Sequence, residues 1–236
     1  MAISVVQAES VSNGGSLTSP VTPGSTVLIL PVCYEFGSAL VSTGSPELGG
    51  TPYTGAALLA SSQNAYQSAT TAAIGYTAAW MLPDVQASGL SSISLSVSGG
   101  NILDLFAMEI TGLGSPSLDQ SSTGSDPDSD ALTSGTTGAI TSAPEIVIAG
   151  AVLIDEAIGS PGAPWTVVQD GTQFGQLAYQ IASGSGGTYT WSATGAATNA
   201  WAALCVTIAS SAAPAQPPAQ PARSYPPPAM VRAAWY

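Results

Sequence analysis

Short runs of apolar and β-branched residues recur along this chain, separated by clusters of Gly, Ser, Pro, Asn and Asp. Residues 92–98 read SISLSVS and residues 188–194 read TYTWSAT. Ile93, Leu95 and Val97 therefore share one face, as do Tyr189, Trp191 and Ala193, with hydroxyl residues on the other. That period of two belongs to a pleated strand and does not gather on one face of a helix. Strands are expected at residues 3–7, 26–36, 73–82, 92–98, 103–111, 145–154, 166–169, 174–182, 188–194 and 201–210. The Ala-rich stretch 54–67 is expected to be a short helix or a loop, and no other stretch carries a helical stripe. About ten short strands without intervening helices imply an all-β chain, an antiparallel β-sandwich of jelly-roll type.

The two alternating segments look like counterparts. Each ends in a glycine, Gly99 or Gly195, and precedes an apolar run, LDLFAMEI or WAALCVTI. Each also follows a run containing aromatics, IGYTAAWML or FGQLAYQI, and PGSTVLILPV further upstream has a loose counterpart in PEIVIAGAV. The pattern reads as a diverged internal duplication, residues 23–112 and 144–210, joined by a loop over 114–143. Two unrelated β-meanders would share the coarser part of it. One common core over residues 1–212 is expected, because about 70 residues of alternating strands bury little by themselves.

Composition removes many functions. Charged residues make up 7% of the chain, against about 25% in an ordinary domain, so ion pairs cannot organise the fold. There are 14 acids, two arginines, no lysine and no histidine. Both arginines, Arg223 and Arg232, follow residue 212, which leaves 14 acids and no base before it and a formal charge of −14 there. Without histidine there is no Ser-His-Asp or Cys-His catalysis and no imidazole metal ligand; without lysine there is no Schiff-base amine and no P-loop lysine. A body lacking cations is repelled by a phosphate backbone, which argues against nucleic-acid binding. The start, MAISVVQAES, has neither a basic n-region nor an apolar h-region, so conventional secretion is not expected. Apolar runs at 27–32 and 146–154 fall short of the roughly 18 residues a membrane span needs. Cys33 and Cys205 lie in apolar runs and read as buried free thiols, although spacing alone leaves a disulfide open.

After Ser211 the composition changes, and seven of the 18 prolines lie between Pro214 and Pro228. Residues 213–236 are expected to form an extended polyproline arm of about 3 Å per residue, excluded from any sheet for want of backbone donors. The arm closes on Met230, Val231, Arg232, Trp235 and Tyr236, an apolar and aromatic hook beside a cation. A stiff spacer with such an end has the form of a docking arm; the alternatives are packing back on its own domain and an inert tail.

Asp126, Asp128 and Asp130 alternate, with Asp119 nearby, a spacing at which carboxylates can converge on calcium. Ala131 and Thr137 stand where an EF-hand would need glycine and glutamate, so a solvated acidic turn is the better reading. No cofactor is expected. Two-carboxylate glycoside hydrolysis survives the absence of histidine, with Glu35, Asp104, Glu109, Asp155 and Glu156 at or near strands. They form no convincing local pair and no E-x-D-x-E signature, and the chain reads as a non-enzyme. Trp80, Trp165, Trp191, Trp201, Tyr53, Tyr76, Tyr179 and Tyr189 could stack on sugars, but most fall at inward positions and are more simply core.

The Pro-Gly leading strand, the block SISLSVSGGNILDLFAMEITGL and the block TYTWSATGAATNAWAALCVTI resemble a β-sandwich module of tailed-bacteriophage and bacterial surface proteins. In such modules a strand ending in Glu-x-x-Gly recurs; here it is Glu109 to Gly112, and the second half lacks it. The resemblance covers about residues 20–210 and implies a virion accessory role: capsid decoration, head fibre or minor tail protein. It places the chain on a phage particle, attached through the arm to a capsid or tail protein. A carbohydrate-binding adhesion module recognising a host surface glycan is the alternative. A homo-oligomer is compatible with the low charge, but no heptad or symmetry signal decides it.

Overall fold

The computed structural model describes residues 2–36, 42–67, 72–86, 89–99, 101–169 and 174–211. Its strands are β1 (Ser4–Val11), β2 (Ser25–Phe36), β3 (Ser42–Thr43), β4 (Glu47–Leu48), β5 (Thr51–Pro52), β6 (Ala57–Gln67), β7 (Ala72–Val85) and β8 (Ile93–Ser94). They continue with β9 (Val97–Ser98), β10 (Asn101–Thr111), β11 (Ser115–Thr136), β12 (Glu145–Leu153), β13 (Thr166–Gln169), β14 (Gly175–Ala182) and β15 (Thr190–Ser211). Among the described residues there is no helix, hence none long and apolar enough to cross a membrane.

Two five-stranded antiparallel sheets carry the fold, ordered β1-β10-β2-β7-β6 and β11-β15-β12-β14-β13. Numbered within its own half of the chain, each sheet has its long strands in the order 1-5-2-4-3. The halves of the chain thus repeat one topology. To the matched stretches 23–112 and 144–210 the structure adds one outer strand each, β1 and β11.

The sheets stack so that β2 lies against β12, β7 against β15, β10 against β14, β6 against β11 and β1 against β13. In repeat numbering, second meets second, fourth meets fifth and third meets first, each in both directions. Those reciprocal pairs resemble the contacts of a twofold homodimer, although β6 also packs on β15 and β7 on β12 without equally close counterparts in the other half. Between the sheets Leu28, Leu30, Val32, Phe106, Met108 and Ile110 meet Ile146, Ile148, Val152, Leu204, Val206 and Ile208, all buried. At the centre Gly150 brings the layers together: a Cβ there would lie 2.7 Å from Leu30 Cδ2 and 3.2 Å from Thr77 Oγ1.

Each sheet is also covered on its outer face, which explains why β2 and β12 read as continuous apolar runs and not as alternating ones. Over the first sheet, Leu17, Val21, Leu48, Ile93 and Leu95 bury Val27, Ile29, Ile74 and Tyr76. Over the second, the β11–β15 ribbon doubles back: residues 131–136 pair with 190–194 and seat Leu132 and Trp191 on Ala149, Ala151, Leu153 and Trp201. The bend brings Gly124 against the Thr133 carbonyl, with no room for a Cβ.

Three expectations are corrected. Residues 54–67 hold strand β6, because pairing along β7 satisfies its backbone donors whatever its Ala content. The expected loop 114–143 is mostly the 22-residue strand β11, whose Ser, Thr and Gly side chains alternate between half-buried and exposed without an apolar signal. Residues 92–98 form two short strands, β8 and β9, in small covering sheets outside the main pair. In addition, 188–194 and 201–210 merge into the single strand β15.

Cys33 and Cys205 are free and buried. They lie in clusters on the outer faces of different sheets, so both layers separate them and no bridge can form. Burial pushes both thiols up to about 12. The native protein is therefore expected to leave an aromatic disulfide reagent unreacted at pH 8, with both thiols released together on unfolding in urea. Fast titration of either thiol in buffer would contradict the packing.

Candidate functional site

Glu109 and Glu145 are the buried acids among the described residues. Glu109 sits on β10 between β1 and β2. Its Oε1 accepts the Thr22 N–H at 2.8 Å and the Ser25 hydroxyl at 2.8 Å, and its Oε2 accepts Gln7 Nε2 at 2.7 Å. Burial alone would raise this carboxyl, but the bonds from Thr22, Ser25 and Gln7 outweigh it and hold the group below its ordinary value of 4.5. Three residues on, Gly112 has φ +84° and faces the Ala2 carbonyl with no room for a Cβ. The Glu-x-x-Gly ending is thus a fastening of the first segment of the chain, with the glutamate already filled by internal donors.

A second fastening recurs in both halves. Glu9 on β1 accepts the Thr18 N–H at 2.7 Å and its hydroxyl at 2.6 Å. Asp119 on β11 accepts the Thr141 N–H at 2.7 Å and its hydroxyl at 2.8 Å. In each repeat a carboxylate on the first strand clamps a threonine of the segment leading to the second. Burial raises the Asp119 carboxyl, but Thr141, Glu145 and Gln120 together hold it below its ordinary value of 3.8. The second half lacks a glutamate equivalent to Glu109; its buried carboxylate, Glu145, comes from β12 and accepts the Ser142 hydroxyl at 2.9 Å.

The residues nominated from sequence distribute as follows. Asp126, Asp128 and Asp130 lie at the corner where the ribbon doubles back, and Asp126 Oδ1 accepts the Asp128 N–H at 2.9 Å. Among the described residues no three Asp, Glu, Cys or His side chains group as metal ligands. Asp104 accepts the Ser10 hydroxyl at 3.0 Å and, five positions from Glu109, occupies the opposite face of β10. Asp155 and Glu156 stand in the turn after β12, and Glu35 lies in β2 with its side chain outside the described residues. Tyr76, Trp80, Trp191 and Trp201 are buried in the core, whereas Tyr53, Trp165, Tyr179 and Tyr189 are half-buried. Met230, Val231, Arg232, Trp235 and Tyr236 lie outside the described residues.

Among the described residues, two surface clefts carry enough lining to describe. One, of about 450 Å³, lies beside the doubled ribbon and is lined by Thr133, Ser160, Ser192 and Thr194 with no charged or aromatic side chain. The other, of about 360 Å³, lies between the β4–β5 turn and the end of β7, where Tyr53, Asp84 and Gln86 meet Leu48, Pro52 and Leu90. The Tyr53 hydroxyl donates to the Pro83 carbonyl at 2.6 Å, and Gln86 Nε2 donates to the Asp84 carboxylate. Asp84 has φ +52°, a left-handed backbone that Asp and Asn tolerate better than other side chains. Burial, then the Asp84 charge, raises the Tyr53 phenol. Tyr53 stood among the aromatics singled out from sequence, whereas Asp84 and Gln86, just past the expected strand 73–82, did not.

No protein-family model matches the chain, and neither a curated protein nor a solved structure does so at a meaningful level.

Proposed function

We propose that this chain is a non-enzymatic structural component of a tailed-phage particle surface, held by residues 213–236 to a capsid or tail protein. The observation that carries this reading is how the sandwich spends its polar groups. Glu109, Glu9 and Asp119, which a hydrolase would aim at substrate, are taken up in fastening the molecule's own segments. The central strands of both sheets are buried on both faces, a construction suited to rigidity. An exterior poor in charge and rich in Ser, Thr and Gly draws little stability from ion pairs, which suits a coat facing variable salt. The phage assignment itself comes from the resemblance of residues 20–210 to surface modules.

Attachment then falls to the arm, where Met230, Trp235 and Tyr236 would be buried on the partner and Arg232 would pair with a carboxylate. Trp235→Ala is expected to lower occupancy on particles at least about tenfold, as loss of a buried aromatic anchor does, while leaving the unfolding midpoint of the sandwich unchanged. Unaltered occupancy would overturn the anchoring role.

A further inference from the structure

We propose that the cleft between the β4–β5 turn and the end of β7 is a binding site for a neutral saccharide. A pyranose presents an apolar C–H face and a rim of hydroxyls, and this cleft presents the complement of each. Tyr53, Pro52, Leu48 and Leu90 supply an aromatic and aliphatic wall. Asp84 supplies a carboxylate able to accept from two neighbouring hydroxyls, and Gln86 an amide beside it.

The wall of the cleft is held in place before a ligand arrives, with the polar groups at its rim. Tyr53 is tethered through its hydroxyl to the Pro83 carbonyl. Asp84 stands exposed at the rim with a left-handed backbone, and the Gln86 amide donates to it. Leu90 presses on Gly49, where φ is +65° and a Cβ would lie 2.5 Å from Leu90 Cδ2. The volume of about 360 Å³ falls at the lower end of the roughly 300–1,000 Å³ of small-ligand clefts. The charge of −14 before residue 213 repels sialylated and uronic sugars, which leaves the neutral ones.

The inference rests on the outward-facing role proposed above, but the two fail separately: attachment is read by particle occupancy, this site by sugar retention. The test is retention of the full chain on an array of immobilised neutral oligosaccharides built from glucose, galactose, mannose and N-acetylhexosamines, with an Arg-rich peptide as competitor probe. Retention on at least one neutral class is expected, falling at least about tenfold for Asp84→Asn and for Tyr53→Ala. Asn keeps the left-handed backbone, so Asp84→Asn retains its unfolding midpoint, and Tyr53→Phe, which keeps the ring, retains most of the binding. No retention on any neutral sugar, retention indifferent to both variants, or binding of the Arg-rich peptide alone would each overturn the assignment.

Discussion

Gly150→Val is expected to destabilise the sandwich by more than the roughly 1–3 kcal/mol typical of an overpacked core, a large part of a domain's whole stability. Valine is ordinarily the better strand residue, by up to about 1 kcal/mol, so the sign is decided by space. The added Cβ would meet Leu30 Cδ2 at 2.7 Å and Thr77 Oγ1 at 3.2 Å. Two further methyl carbons must also enter the plane where the sheets touch. Leu30 and Thr77 are themselves buried, so neither can swing into solvent to make room. The urea midpoint should fall with an unchanged slope. In a double-variant cycle Leu30→Ala should recover part of the loss, because truncation clears the clashing methyl. Strict additivity would show that the two sheets do not meet at this point.

Glu109→Gln is the second large effect, expected at about 2–3 kcal/mol at pH 7. The substitution keeps the shape but turns one oxygen into a donor. Oriented to keep Thr22 and Ser25 satisfied, its amide nitrogen faces Gln7 Nε2. Gln7 cannot flip to accommodate it, since its Nε2 also donates to the Ser19 carbonyl at 3.0 Å and its Oε1 accepts the Ser19 N–H at 3.2 Å. The pH dependence follows from the direction of the shift. A carboxyl lower in the folded state than its ordinary 4.5 contributes stability that is fully present above 4.5. That contribution is lost as pH falls through the folded value. Unfolding midpoints of the wild type should therefore decline with acid below about pH 4.5, and more shallowly in Glu109→Gln. Asp119 adds a remainder of the same sign below its own ordinary 3.8. Parallel profiles would contradict the clamp.

The strands with a two-sided apolar environment were legible because TVLILPVC and IVIAGAV are short runs rich in β-branched residues that follow turn signals. Residues 166–169 and 174–182 were also placed almost to the residue, from short β-branched and aromatic runs bounded by turn residues. Strand β11 escaped notice because, Leu132 apart, its inward positions hold polar residues, Pro or Gly, which packing tolerates but hydrophobic periodicity cannot register. Strand β6 was obscured by alanines, which suit a helix when isolated and a strand when β7 lies alongside. The repeated strand order of the two halves was foreshadowed by the order of aromatic, serine-rich and apolar runs. The reciprocal stacking of the halves depends on how the sheets meet, which no local pattern encodes. The Glu-x-x-Gly motif was noticed as a signature, but its use emerges only when Gln7, Thr22 and Ser25, distant in sequence, reach the same carboxylate. The Tyr53 cleft was invisible for the same reason, its wall and its carboxylate being 31 positions apart.

The proposed division of labour, rigidity in the sandwich and attachment in the arm, is open to direct measurement. The full chain and a form ending at Ser211, each shown to be folded by its unfolding transition, are to be sedimented with phage particles that lack this protein. The full chain is expected in the pellet with the particles and the shortened form in the supernatant. Equal pelleting of both forms would move attachment onto the sandwich, and failure of both to pellet would contradict the particle role itself.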